Sequence, residues 1–283
     1  MEWRGRRGSG NIEDRRGAGG GAVRIGGIGG FGAILIIVVG WLLGVDLTPL
    51  VTGTDMGVAP QQQGQLSEAD QEAGEFVSVV LAGTEEVWTD VFRDQLGETY
   101  RPPVLVLYSG VTSSPCGGAS GATGPFYCPG DQKVYLDTAF FATLARQLGA
   151  GGDFAAAYVV AHEVGHHVQD ELGILGQVND MRQRVSEADS NALSVRIELQ
   201  ADCLAGIWAR QSQNRYEWLD RDDISEALNA AARIGDDTLM RNAGRVPMPE
   251  SFTHGTSEQR QTWFARGWDS GRIEDCNTFQ GRI

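Results

Sequence analysis

Histidine is scarce in this chain of 283 residues: there are four, and three of them fall in the stretch "HEVGHH" at 162–167. Cysteine is equally scarce, with four residues and no C-x-x-C pair, which excludes a four-cysteine zinc knuckle. Basic residues are outnumbered, 23 Lys and Arg against 37 Asp and Glu, for a formal net charge of −14. An acidic body repels phosphates, so nucleic acid is excluded as the main partner. No heptad run and no internal repeat is present, which removes coiled coils and solenoids. With 41% hydrophobic residues the chain has enough apolar material for a folded core.

Charge is missing altogether from residues 25–45, "IGGIGGFGAILIIVVGWLLGV". At 1.5 Å per residue such a run covers about 30 Å, the thickness of a bilayer core. Trp41 lies near its far end, where an amphipathic ring suits the interface. Arg4, Arg6, Arg7, Arg15, Arg16 and Arg24 precede the run, against Glu2, Glu13 and Asp14; Asp46 and Asp55 follow it. The positive-inside rule then predicts a single transmembrane helix at 25–45 in the cell membrane, with 1–24 a basic cytoplasmic N-terminus and the body extracytoplasmic. A cleaved signal peptide is the rival, disfavoured because the run is long and no A-x-A site follows it. Residues 46–66, rich in Gly, Thr, Pro and Gln, read as a flexible linker to a domain at 67–283.

The four cysteines fit an exported body, where an even number favours disulfides. Cys116–Cys128 is preferred for its short loop, leaving Cys203–Cys276. Helical spacing at 67–96 suggests two helical pieces, with Ser67 and Thr84 as N-caps. Residues 102–110 and 131–138 read as short strands. Helices are expected over about 138–148, from Asp153 as N-cap to a stop at Gly173, over about 178–213, and over about 222–241. Thr256 and Gln259 form a candidate capping box before a last helix. The fold class is therefore α+β, mostly helical with a small sheet.

His162 and His166 lie one helical turn apart, so both rings leave the same face. Two such imidazoles can share one metal ion at about 2.0–2.1 Å. Glu163, rotated about 100° from His162, sits beside the ion as a general base for its water. This is the H-E-x-x-H pattern. The same spacing also serves two core histidines, so a third ligand decides the matter. Gln169 and Leu172 stand where the long metzincin continuation needs Gly and His, which excludes that class. "ELQADC" (198–203) instead supplies Glu198 as third ligand and, one turn on, Asp202 to fix a ligand histidine's tautomer. Asp202 as the ligand is an alternative, with Asp180 and Asp189 behind it. His167 is rotated off the metal face and reads as structural. His254 is a candidate for stabilising an oxyanion or protonating a leaving amine, with Arg260 behind it.

Five stretches together, "MEWRGRRGSGNIEDRRG", "CGGASGATGPFYCPGDQKVYLD", "HEVGHHVQ", "ELQADCLAGIWA" and "HGTSEQR", resemble the neutral zinc metallopeptidase family of bacterial membrane-anchored proteins. The resemblance implies a zincin-like fold, with Zn2+ on His162, His166 and Glu198 and Glu163 as base. It also implies an edge strand that receives a peptide or protein substrate, for which 121–128 and 133–137 are candidates. The activity expected is zinc-dependent peptide hydrolysis. The alternatives are a membrane-tethered scaffold that binds metal without turnover and a metal-free helical adhesion domain.

Overall fold

The computed structural model describes residues 1–16, 66–120 and 124–283. Among them are strands β1 (Ile12–Asp14), β2 (Val104–Tyr108), β3 (Val111–Ser114), β4 (Gly117–Ser120), β5 (Phe126–Cys128) and β6 (Lys133–Asp137). The α-helices are α1 (Glu68–Val91), α2 (Ala139–Arg146), α3 (Asp153–Glu171), α4 (Ile174–Arg182), α5 (Glu187–Tyr216), α6 (Asp223–Arg233), α7 (Asp236–Asn242) and α8 (Ser257–Ser270). The architecture is α+β, dominated by helices. A four-stranded sheet runs in the order β1-β2-β6-β5, with only β5 antiparallel to its neighbour, and β3 pairs with β4 as a separate hairpin.

Several helices begin and end where local chemistry dictates. Ser67 opens α1 with a reciprocal capping box to Asp70, and Thr256 does the same for α8 with Gln259. The two helical pieces expected over 67–96 are one helix continued by a π-turn at Phe92–Leu96. Thr84 is no cap: it is buried within α1 and its hydroxyl donates to the Leu81 carbonyl. Gly152, not Asp153, is the N-cap of α3, and Gly173 follows its end at φ 71°. The single helix expected at 178–213 is two, because Ser186 caps a new start with its side chain on the Asp189 amide. The one expected at 222–241 is also two, interrupted at Gly235, where a Cβ would lie 2.4 Å from the Ser257 amide nitrogen.

Three helices carry the centre of the molecule. Gly165 on α3 faces the α5 backbone so closely that a Cβ there would lie 3.1 Å from the Ala201 carbonyl oxygen. Gly206 on α5 and Gly267 on α8 meet in the same way, and a Cβ on Gly267 would lie 1.8 Å from the Cys203 carbonyl. These contacts bring the HExxH helix, the Glu198 helix and the Arg260 helix into one layered packing around Phe154, Trp208 and Phe264, which are fully buried. Both expected disulfides are formed, Cys116–Cys128 and Cys203–Cys276.

The N-terminal segment departs from expectation. Residues 1–16, read from sequence as the first part of a separate basic tail, fold with the body. β1 adds a parallel edge strand to β2, with Ile12 opposite Leu105 and Asp14 opposite Leu107. Trp3 is 4% exposed and packs edge-on against Phe76, 5.3 Å between ring centroids. Burying an aromatic of that size is worth, as an upper estimate, roughly 4–6 kcal/mol. The Met1 ammonium donates to Asp153 and Asp223 at the start of α3 and α6. The apolar run at 25–45 and the linker up to 65 lie outside the described residues. Among the described residues, no helix is long and apolar enough to cross a membrane.

Candidate metal centre

The sequence places His162 and His166 on the same face of α3, and their rings stand 4.8 Å apart, edge to face. Glu198 reaches them from α5. One carboxylate oxygen lies 3.2 Å from His162 Nε2 and the other 3.6 Å from His166 Nε2. One ligand atom from each of the three side chains falls within 4.8 Å of the others. Neither Asp180 nor Asp189 belongs to this group, and both are exposed.

The rear nitrogens of both imidazoles are engaged, which leaves the two Nε2 atoms for a metal. His162 Nδ1 lies 2.9 Å from Asp202 Oδ1. Asp202 is completely buried and also accepts from the Tyr158 hydroxyl and from Arg260, through Nε at 2.8 Å and Nη2 at 2.9 Å. Burial works against the Asp202 charge, but the Arg260 guanidinium and His162 pull its pKa down to about 2. Burial likewise opposes the charged form of His162. The Asp202 carboxylate outweighs it and raises the imidazole to about 10 in the metal-free site. His166 Nδ1 faces Gln169 Oε1 at 2.9 Å. The Gln169 amide donates onward to the Ile197 carbonyl and to Gln200, and Gln200 to the Cys276 carbonyl. A carboxylate acceptor on one ligand histidine and an amide oxygen on the other fix both tautomers in the manner of metal-ligating imidazoles. Two imidazole nitrogens and a carboxylate oxygen, with both rear nitrogens satisfied, fit Zn2+ in a three-ligand site.

Glu163 is 8% exposed, and burial raises its pKa despite His166 and His162 nearby. It lines a cleft of about 550 Å³ with His162, His166, Glu198 and His254. His254 is held at the rim by Asp236. Its Nδ1 lies 3.1 Å from one Asp236 oxygen, while the other oxygen accepts from the amides of Thr253, His254 and Gly255. Burial lowers the His254 pKa, but Asp236 and Glu198 together raise it on balance.

Arg260 also borders the cleft, yet its bonds go to Asp202, Tyr158 and the Ile234 carbonyl. It stands behind His162 and is not a free oxyanion donor, contrary to the reading from sequence. His167 points away from the trio: Nε2 donates to the Arg101 carbonyl at 2.7 Å and Nδ1 faces the Tyr127 hydroxyl at 3.1 Å. Burial lowers its pKa. Two participants were not picked out from the sequence. Tyr158 lies one turn before His162 and Gln169 three residues after His166, so helical periodicity from the motif histidines points at both. Gln169 drew notice only as a departure from another motif.

The cleft's other walls are mostly apolar, with Phe126, Phe140, Leu148, Val159, Leu175 and Ile197 among them. The strand at 133–137 is no receptor for a substrate strand, because β6 sits between β2 and β5 with both edges paired. Among the described residues β5 is one edge of the sheet, with β1 the other, and Phe126 and Tyr127 on β5 border the cleft.

Comparison with known proteins gives the arrangement its context. A family profile described as "Putative neutral zinc metallopeptidase" matches residues 1–279. The chain belongs to this family. Among the relatives of this zinc metallopeptidase family member is "Uncharacterized protein YpfJ" of Escherichia coli K12, 48% identical with 99% of each chain covered. "Uncharacterized protein Rv2575" of Mycobacterium tuberculosis H37Rv is 40% identical with 84% of each covered. "Uncharacterized protein Mb2605" of Mycobacterium bovis has the same identity and coverage. No solved structure matches this family member at a significant level.

Proposed function

We propose that this protein is a zinc-dependent endopeptidase whose metal is held by His162, His166 and Glu198 and whose general base is Glu163. The observation that carries the reading is the convergence of the three ligand atoms beside a buried glutamate on the floor of an open cleft. When bound, zinc supplies a Lewis acid that polarises an amide carbonyl and acidifies water. The Glu163 carboxylate, made more basic by burial, accepts a proton from the attacking water and returns it to the departing amine nitrogen. His254, whose pKa Asp236 and Glu198 raise against the effect of burial, lines the same cleft and donates to the oxyanion that develops on the former carbonyl. Asp202 and Gln169 hold the two ligand imidazoles in register. The peptide lies along the open edge of β5 in extended form, with its apolar side chains against Phe126, Phe140 and Leu148.

The body acts outside the cytoplasm, close to a membrane through the apolar run at 25–45. Two disulfides support an oxidising compartment. The test is cleavage of casein and of peptide libraries by wild type and by Glu163→Gln, with and without a chelator. Cleavage that needs both zinc and Glu163 is expected. Unchanged cleavage by Glu163→Gln refutes the role of the base. Zinc binding with no turnover by wild type favours the non-catalytic metal-binding scaffold.

A further inference from the structure

The position of the N-terminal arm bears on how the chain meets a membrane. β1 is hydrogen-bonded into the central sheet. The Leu105 amide donates to the Asn11 carbonyl at 2.9 Å, and the Arg15 amide to the Leu107 carbonyl at 2.7 Å. Lys133, the chain's only lysine, sits on β6 and donates to Glu13 on β1 at 2.7 Å. Arg7 pairs with Glu86 at 2.8 Å, and Asn11 bonds Glu85 at 2.8 Å, both on α1. At the arm's last described residue, the Arg16 guanidinium bonds the Asp70 carbonyl in the first turn of α1. Its side chain is 4% exposed. The arm therefore leaves the body beside the point where the chain re-enters it at residue 66.

A single crossing at 25–45 would put residues 16 and 66 on opposite sides of a layer whose core alone is about 30 Å thick. Residues 46–65 cannot carry the chain back across. They include Asp46 and Asp55 and two prolines, with no apolar run near the ~20 residues a second helix needs. The positive-inside argument and the folded arm are thus incompatible, and the arm has the more specific support. The arginines that argued for a cytoplasmic tail have partners on the body: Arg4 bonds Glu72, Arg7 bonds Glu86, and Arg6 lies over Tyr216 and Trp218. The charges of Arg4 and Arg7 answer Glu72 and Glu86 on α1 and are no measure of a tail left behind by a translocating chain.

We infer that residues 1–16 and the metal-binding body occupy the same side of the membrane, so the 25–45 run does not separate them. The arm is a strand of the domain, and the membrane-directed segment is an insertion between β1 and α1. This holds whether or not the cleft hydrolyses peptides.

The test uses the full chain in its native membrane. Arg7→Cys on the arm and Arg272→Cys beyond α8 replace exposed side chains, 61% and 63% accessible. Each variant is treated with a membrane-impermeant maleimide in spheroplasts before and after lysis. Both positions labelled before lysis, or both only after it, is the expected result. One labelled before and the other only after lysis overturns the inference. Unmodified wild type supplies a second reading that no misfolded variant can confound. Carbodiimide treatment of membranes should join Lys133 to Glu13 as an isopeptide found by mass spectrometry. Modification of Lys133 and Glu13 individually, with no Glu13–Lys133 link, counts against the folded arm.

Discussion

Replacing Asp202 by Asn separates two jobs that one carboxylate performs. The residue is completely buried and takes two hydrogen bonds from Arg260, one from Tyr158 and one from His162. Asn keeps the volume but removes the charge, leaving the Arg260 guanidinium, 2% exposed, without its counter-ion. Breaking a buried pair from one side costs about 3–5 kcal/mol. The retained amide oxygen places Asp202→Asn near the lower end, about 3 kcal/mol. The second loss is at His162, whose Nδ1 no longer faces an anion. Removing such a partner typically costs about 10–100-fold in metal affinity, or roughly 1.4–2.7 kcal/mol. Denaturant unfolding of the metal-free protein measures the first loss, and competition with a chromophoric chelator the second. Arg260→Met combined with Asp202→Asn should recover most of the stability, because no buried charge is then unpaired, without restoring zinc affinity. Wild-type zinc affinity in Asp202→Asn, or a double variant less stable than the single, would refute the division.

The other predictions follow from neighbouring contacts. Asp236 has its folded pKa lowered, since His254 and three amides outweigh burial; its contribution is complete above about 4 and fades as the pH falls through the folded value. His254 has its folded pKa raised; its contribution is complete below about 6.5 and fades as the pH rises through the folded value. Urea titrations of metal-free wild type and Asp236→Asn should therefore differ most between about pH 4 and 6.5, and a pH-independent difference contradicts the pair. Gly267→Ala places a methyl against the Cys203 carbonyl and should destabilise by about 3 kcal/mol or more, read as a drop in Tm. Cys203→Ser with Cys276→Ser opens a loop of 73 residues and should cost about 4 kcal/mol by chain entropy, seen as a lower denaturant midpoint.

Local and periodic signals made much of the centre legible in advance. One-turn spacing identified His162 and His166, and Glu198 with Asp202 four residues on, because a helix converts sequence interval into direction. The short loop favours Cys116–Cys128 among three possible pairings, and the structure forms that bond together with Cys203–Cys276. What was not legible depended on contacts between distant segments. Nothing in "NIEDRR" marks an edge strand until β2 is there to pair with it. Arg260 looked like a substrate-facing cation because its burial behind Asp202 depends on how α8 packs on α5 through Gly206 and Gly267. The break at Gly235 has the same origin, a close approach to Ser257 that helical periodicity does not register. Charge counting over 1–24 does not register tertiary partners either: Arg4 and Arg7 pair with Glu72 and Glu86 on α1, far away in sequence.

The central claim is that His162, His166 and Glu198 form a zinc site. Elemental analysis of the protein purified without added metal tests it most directly. One zinc per chain is expected in wild type and in Glu163→Gln, with zinc lost in Glu198→Ala and His162→Ala variants that remain folded by circular dichroism. Wild-type protein that neither contains zinc nor takes it up stoichiometrically, or a folded Glu198→Ala that binds it as tightly as wild type, would contradict the account.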